Sequence, residues 1–173
     1  MTLAEIFTCK LDSEAYGLLN HFPNMVKWWT DQVKESPTAF SVFRNHFYSA
    51  WKESWSDYNS QHAQTSSLTA YNMLRLSKMQ PLKELKYSFA VVSQRIVKIE
   101  DEKLVFPTKL SKKAQVQLVP KNHTQTTLLE QTQNGYWKNG QIFLTPNWCA
   151  IPLTRYIDLT SEKEDTLIQK ILK

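Results

Sequence analysis

Glycine is nearly missing from this chain: it occurs three times in 173 residues, at positions 17, 135 and 140. Neither G-x-x-x-x-G-K-[ST] nor G-x-G-x-x-G can be written with glycines so placed, and no G-x-S-x-G nucleophile elbow exists, so the common phosphate cradles and the hydrolase elbow are excluded. Cysteine is just as sparse. Cys9 and Cys149 lie far apart in sequence and outside any C-x-x-C or His-bearing ligand pattern, which argues against zinc and for two buried thiols. The N-terminus lacks the basic head and apolar stretch of a signal peptide, and no apolar run approaches membrane-spanning length. A cytoplasmic, intracellular protein with no membrane partner is expected, and Asn122-His123-Thr124 is then a chance glycosylation triplet.

Convergent chemistry is equally scarce. His21, His46, His62 and His123 are scattered without the spacing of a ligand set, which suits capping, surface or core-edge roles better than metal binding. Glu100-Asp101-Glu102 reads as the solvated tip of a hairpin, since a metal-dependent nuclease centre draws its carboxylates from separate elements. No catalytic residue, metal or cofactor is expected.

What the chain does have is aromatic residues in helical register. Phe40, Phe43, Phe47, Trp51, Trp55 and Tyr58 recur every three or four residues, one stripe on a 3.6-period helix. A hinge at Tyr58-Asn59-Ser60-Gln61 follows, then a helix to Leu76 with the small residues Ala63, Ser66, Ser67 and Ala70 on one side and Leu68, Tyr71 and Leu74 on the other. A continuous stripe is what burial requires, so core packing is favoured over base stacking. Trp28, Trp29 and Trp137 are the better stacking candidates if any is exposed.

The net charge of +5 is unevenly spread. Residues 1–80 carry 7 Lys and Arg against 7 Asp and Glu, whereas residues 81–173 carry 14 against 9. Lys103, Lys109, Lys112, Lys113 and Lys121 fall in a stretch to Leu129 without one acidic residue, a local positive field able to attract a polyanion. A merely solvated lysine face has the same pattern.

Along the chain, Ala4–Lys10 reads as a first strand, and Ser13 offers an N-cap for a short helix from Glu14 to about Phe22, stopped by Pro23. Asn24 caps a second helix through Met25, Val26, Trp28, Trp29 and Val33, ending before Ser36-Pro37; the helical region closes near Gln80-Pro81. Strands then dominate. Phe89, Val91 and Val92 open the run, and Arg95–Ile99 faces Leu104–Phe106 across a polar turn. Gln115–Leu118 follows, then a short helix at Thr124–Gln133, then strands Ile142–Leu144 and Ala150–Leu153, with Pro152 indicating an edge or a bulge. The expected fold is α+β: a small β-barrel-like, OB-like module (1–12 and 82–160) with an all-α helical insertion after the first strand (13–81) and a C-terminal helix (161–173), whose apolar face is Leu167, Ile168, Ile171 and Leu172. At this length roughly two-thirds of the unfolded surface is buried without help from disulfides.

Two blocks resemble a known family. Tyr58-Asn59-Ser60-Gln61-His62-Ala63 with the helix to Leu76 is similar to the recognition-lobe helices of TnpB/OrfB-type transposon proteins, compact RNA-guided endonucleases related to type V CRISPR effectors. Gly135-Tyr136-Trp137-Lys138-Asn139-Gly140-Gln141-Ile142-Phe143-Leu144-Thr145-Pro146 and Ile151-Pro152-Leu153-Thr154-Arg155-Tyr156 resemble the strands closing the wedge domain of archaeal-type members. The resemblance implies a wedge module carrying a recognition-like insertion. It also implies a departure, because nothing after Asp158 resembles the first RuvC-like strand with its catalytic Asp. On that basis the chain would be a nuclease-less relative or the N-terminal half of such a protein, binding nucleic acid (RNA, DNA or a hybrid duplex) without cutting it. Lys109, Lys112, Lys113 and Lys121 would neutralise phosphates, Arg95 and Arg155 would add to them, and Tyr58 and Gln61 would touch a base edge or sugar. The alternative is a viral or mobile-element interaction module that docks on a nuclease or CRISPR complex and inhibits it, using an exposed apolar patch in the neutral N-terminal half. An enzyme with a distributed site is the third possibility.

Overall fold

The computed structural model describes residues 1–32, 39–78 and 85–155. The helix stops expected at Ser36-Pro37 and Gln80-Pro81, and the C-terminal helix 161–173, lie outside the described residues. Among the described residues are four helices and eight strands, in the order β1 (Thr2–Leu11), α1 (Ser13–Asp31), α2 (Phe40–Ser54), α3 (Ser60–Leu76), β2 (Ala90–Val92), β3 (Lys98–Glu100), β4 (Lys103–Pro107), β5 (Lys113–Val119), α4 (His123–Gln133), β6 (Lys138–Asn139), β7 (Ile142–Leu144) and β8 (Trp148–Thr154). The fold is α+β, with three helices inserted after the first strand of an antiparallel half-barrel.

Seven strands run β2-β7-β8-β1-β5-β4-β3, and β6 pairs separately with β8. The edge strands β2 and β3 are consecutive in sequence, joined only by residues 93–97. Six strand gaps in a flat sheet would separate these edges by ~29 Å. The connection reaches at most ~22 Å, and the Ile96 and Val97 amides bonding back to the Ser93 carbonyl shorten it further. The sheet therefore has to curl. Phe7 and Cys9, Ala114, Val116 and Leu118, Leu104 and Phe106, and Cys149, Ile151 and Leu153 alternate inward to fill it.

Asp12, not Ser13, caps α1, its side chain accepting the Ala15 amide at 2.8 Å. The expected break at Pro23 is corrected: α1 runs unbroken across it. Ala15, Leu18, Leu19, Phe22, Met25, Val26 and Trp29 keep helical spacing through the proline and are all buried. A proline inside a helix costs ~3 kcal/mol, whereas each large side chain buried beyond it contributes ~1.5–3 kcal/mol, so burial wins.

α1 and α2 both pack on α3, and α1 and α3 reach the sheet at β5 and β2. The small face of α3 makes this close approach possible: Ala63, Ser66, Ser67 and Ala70 are buried, and the Trp29 indole donates to the Ser66 hydroxyl at 3.0 Å. The aromatic helix α2 ends at Ser54, short of the hinge. In the hairpin, Asp101 and Glu102 both take positive φ (48° and 59°), the twist of a two-residue primed turn, and the paired strand begins at Lys98 rather than Arg95. Pro152 is also corrected. It lies in β8, paired with β1 through Ala4, at the gap between β7 and β6. Its carbonyl accepts the Gly140 amide at 2.7 Å, and a Cβ on Gly140 would stand 3.2 Å from the Pro152 Cβ, so the absent side chain makes room for the ring.

Candidate nucleic-acid interface

The hinge before α3 is held by the turn between β4 and β5. The Asn59 amide donates to the Thr108 carbonyl at 3.0 Å, the Leu110 amide donates to the Asp57 carbonyl at 2.8 Å, and Tyr58 and Lys109 form an antiparallel bridge. Asn59 then caps α3, accepting the Gln61 amide at 2.9 Å. Of the lysines singled out from the sequence, Lys109 thus borders the start of α3, although some fifty residues separate the two segments in the chain, and Lys112 and Lys113 follow it in the same turn.

Tyr58 is corrected as a base contact. It is buried, its hydroxyl shares a hydrogen bond with His21 Nδ1, and the Lys109 ammonium sits 5.1 Å from its ring centroid. Burial first, then the charges of Glu14 and Asp57, push its pKa up to about 12, so the phenol stays neutral and serves as a platform for Lys109. Lys112 pairs with Glu14 at 3.4 Å across a largely exposed contact, which offsets part of its charge. Lys113 opens β5 and is exposed.

On the other flank of the α3 start, Gln61 accepts from the Ser93 hydroxyl at 3.1 Å, and that same hydroxyl accepts the Arg95 amide at 3.2 Å. Arg95 and Gln61 line a cavity of about 230 Å³ with Arg44, Asn45, Tyr48, Ser60 and Gln64. Lys121 and Arg155 are not part of this cluster. Lys121 follows the far end of β5, a seven-residue strand or ~23 Å from Lys113, and Arg155 sits at the end of β8, where its backbone exchanges hydrogen bonds with Met1.

The expected stacking tryptophans are also corrected. Trp29 and Trp137 are buried, the latter donating its indole N–H to Gln131 at 2.9 Å, and Trp28 is half-buried against Trp29. Among the described residues Tyr16 and Tyr136 are exposed singly, and Tyr87 (82% exposed), Trp148 (41%) and Phe143 (37%) are exposed around one groove. Phe143 stacks on Phe89 and tilts against Trp148, both at 5.7 Å between ring centroids, and with Met73 and Leu85 they line an apolar groove of about 490 Å³. This patch belongs mainly to the strand-rich half, not to the N-terminal half where an apolar contact surface was expected.

His62 is fully buried, its Nε2 donating to the Pro107 carbonyl at 3.0 Å and its Nδ1 without a partner. Burial drives its pKa down to about 4 against the opposing pull of that carbonyl, so it is a neutral core residue. Cys9 and Cys149 are both buried and unbridged. The hydrogen bond between the two thiols lowers the pKa of Cys9 and, together with burial, raises that of Cys149. Among the described residues no three His, Cys, Asp or Glu side chains converge on a metal position, and no helix is long and apolar enough to cross a membrane.

Sequence reasoning missed Arg44, Asn45 and Gln64. Arg44 is the one arginine of α2 and interrupts its aromatic run, which is a signal, but its partner Gln64 becomes a neighbour only when α2 packs on α3. No family model matches this chain, and no curated protein matches it.

Proposed function

We propose that this protein is a non-catalytic nucleic-acid-binding protein that holds the phosphate backbone of RNA, DNA or a hybrid duplex through cations gathered around the start of α3. The observation that carries the reading is this gathering. Lys109 from the β4–β5 turn flanks one side of that helix start, with Lys112 and Lys113 next to it in the same turn, and Arg95 from the β2–β3 connection flanks the other. Cations from separate segments bordering one surface suit a polyanion better than a scattered, solvated charge pattern does. The resemblance of the hinge and of the last strands to the TnpB-type wedge and recognition regions points the same way. Lys121 would contact only a ligand long enough to run the length of β5, and Arg155, beside Met1 at the start of β1, one that runs further still. The test is filter binding against salt. Four phosphate contacts predict a slope of log affinity on log salt of about −3 to −4, and affinity that does not fall as salt rises overturns the reading.

The apolar groove at Phe143 and Trp148 favours a second reading, an interaction module that docks on a protein such as a nuclease or CRISPR-type complex. Co-purification of a protein partner that survives nuclease treatment and is lost on Trp148→Asp would favour it over the first.

A further inference from the structure

A cavity lies between α2, the start of α3 and the β2–β3 connection. Two guanidinium groups, Arg44 and Arg95, line it with the neutral polar residues Asn45, Tyr48, Ser60, Gln61 and Gln64, and no carboxylate is among its lining residues. Lys112, by contrast, has Glu14 beside it. Two like charges facing one space repel each other, and an anion between them relieves that repulsion while gaining charge-assisted hydrogen bonds.

The arginines are also held in ways that leave their charge uncancelled. Arg44 is half-buried and donates from Nε and Nη2 to the Asn45 side-chain oxygen at 3.2 and 2.9 Å, and from Nη1 to the Gln64 side-chain oxygen. Those acceptors are neutral amides. A guanidinium has five N–H donors, so two remain after these three bonds, one on each Nη nitrogen. Arg95 sits on the turn whose backbone is fixed by the Ser93 hydroxyl, and the same hydroxyl donates to Gln61, which ties the turn to the first turn of α3. The positive end of that helix adds to the field, although its Gln61 amide is already taken by the Asn59 cap.

We infer that this cavity binds a phosphate monoester, carried by the end of a nucleic-acid strand or by a free nucleotide. The two guanidiniums match the double negative charge and planar oxygen pairs of that group. Ser60 and Tyr48, each carrying a hydroxyl, also line it. For the strand end as source, the inference rests on the nucleic-acid reading above; the pocket itself does not.

The experiment measures binding of four probes by calorimetry: inorganic phosphate, a mononucleotide, a short single strand with a terminal phosphate, and the same strand ending in a hydroxyl. Wild-type protein is expected to bind the phosphorylated strand about tenfold more tightly than the hydroxyl-ended one, the difference made by charge-assisted bonds to one group. Arg95→Gln and Arg44→Gln each abolish that preference. Arg95 lies on an exposed turn, so its variant keeps the fold and keeps the test sharp if Arg44→Gln does not. Replacing Lys109, Lys112 and Lys113 by glutamine weakens both strands equally and leaves the preference intact. Phosphate and mononucleotide binding that depends on Arg95, without strand binding, upholds the pocket with a free nucleotide as its ligand and sinks the broader nucleic-acid reading. Strand binding that ignores the terminal phosphate, or a preference that survives Arg95→Gln, overturns the pocket and leaves the broader reading standing.

Discussion

Apart from Tyr16, which is exposed on α1, the described aromatic residues of the helical insertion are buried or half-buried, whereas a group at the rim of the sheet stands open. Trp29, Phe43 and Trp51 are buried, with Phe43 packed at 5.6 Å from Trp29 and 6.0 Å from Tyr71 across three helices. Phe143, Trp148 and Tyr87 are exposed around an open groove. Packing against α3 buries Phe43 and Trp51 fully and leaves Phe40, Phe47 and Trp55 half-buried, whereas the strands β7 and β8 turn Phe143 and Trp148 outward, where they touch each other at an open rim. Aromatics of the first kind supply stability, and aromatics of the second kind supply surface for something else.

Replacing one residue of each kind gives the largest contrast. Trp29→Ala is expected to cost ~3–5 kcal/mol in urea unfolding, since it empties a packed site, and a loss below ~1 kcal/mol would show that the insertion is not packed as described. The seam is next in line for acid. His62 lies edge-on to Tyr58 at 6.1 Å, and its pKa is about 4 in the fold against an ordinary 6.5. Between those values the unfolded chain binds the proton and the folded chain does not, so stability is intact above pH 6.5 and declines as the pH falls toward 4. The decline attributable to this group is ~3 kcal/mol. His62→Gln should flatten the pH dependence by that amount when unfolding is compared at both ends of the window, and an unchanged dependence would mean that His62 charges without penalty. Ser66→Ala removes the hydroxyl that accepts the Trp29 indole and is expected to cost ~1–3 kcal/mol, because the buried N–H loses its partner. Trp148→Ala should change stability by less than ~1 kcal/mol while removing most of the groove's apolar wall. A cost as large as that of Trp29 would erase the distinction between the two aromatic groups.

Much of this arrangement was legible in the sequence. The α2 stripe, the small face of α3, the hairpin tip at Asp101-Glu102 and the alternation in β5 are local patterns, and local patterns are set by 3.6-residue and 2-residue periods. Pro23 shows where that reasoning fails: the rule against proline in helices is local, and the buried residues on both sides of it are not. Tyr58 shows a similar limit. Its spacing put it at the end of the stripe, but only the docking of the hinge on the Lys109 turn makes it a buried platform. Pro152 misled because a strand paired on both sides can still contain a proline where one neighbour stops and the next begins.

By itself the sequence determined the class of fold, the insertion after the first strand, the excess of positive charge in the second half and the lack of Gly-rich and Cys-rich signatures, because each depends on composition or on neighbours a few residues apart. Only the tertiary structure decided which cations share a surface. Lys109 meets Tyr58, and Arg95 shares a cavity with Arg44, through a curled sheet and a helix packing that join residues some fifty positions apart. Lys113 and Lys121 sit eight positions apart, yet the extended strand between them holds them at opposite ends.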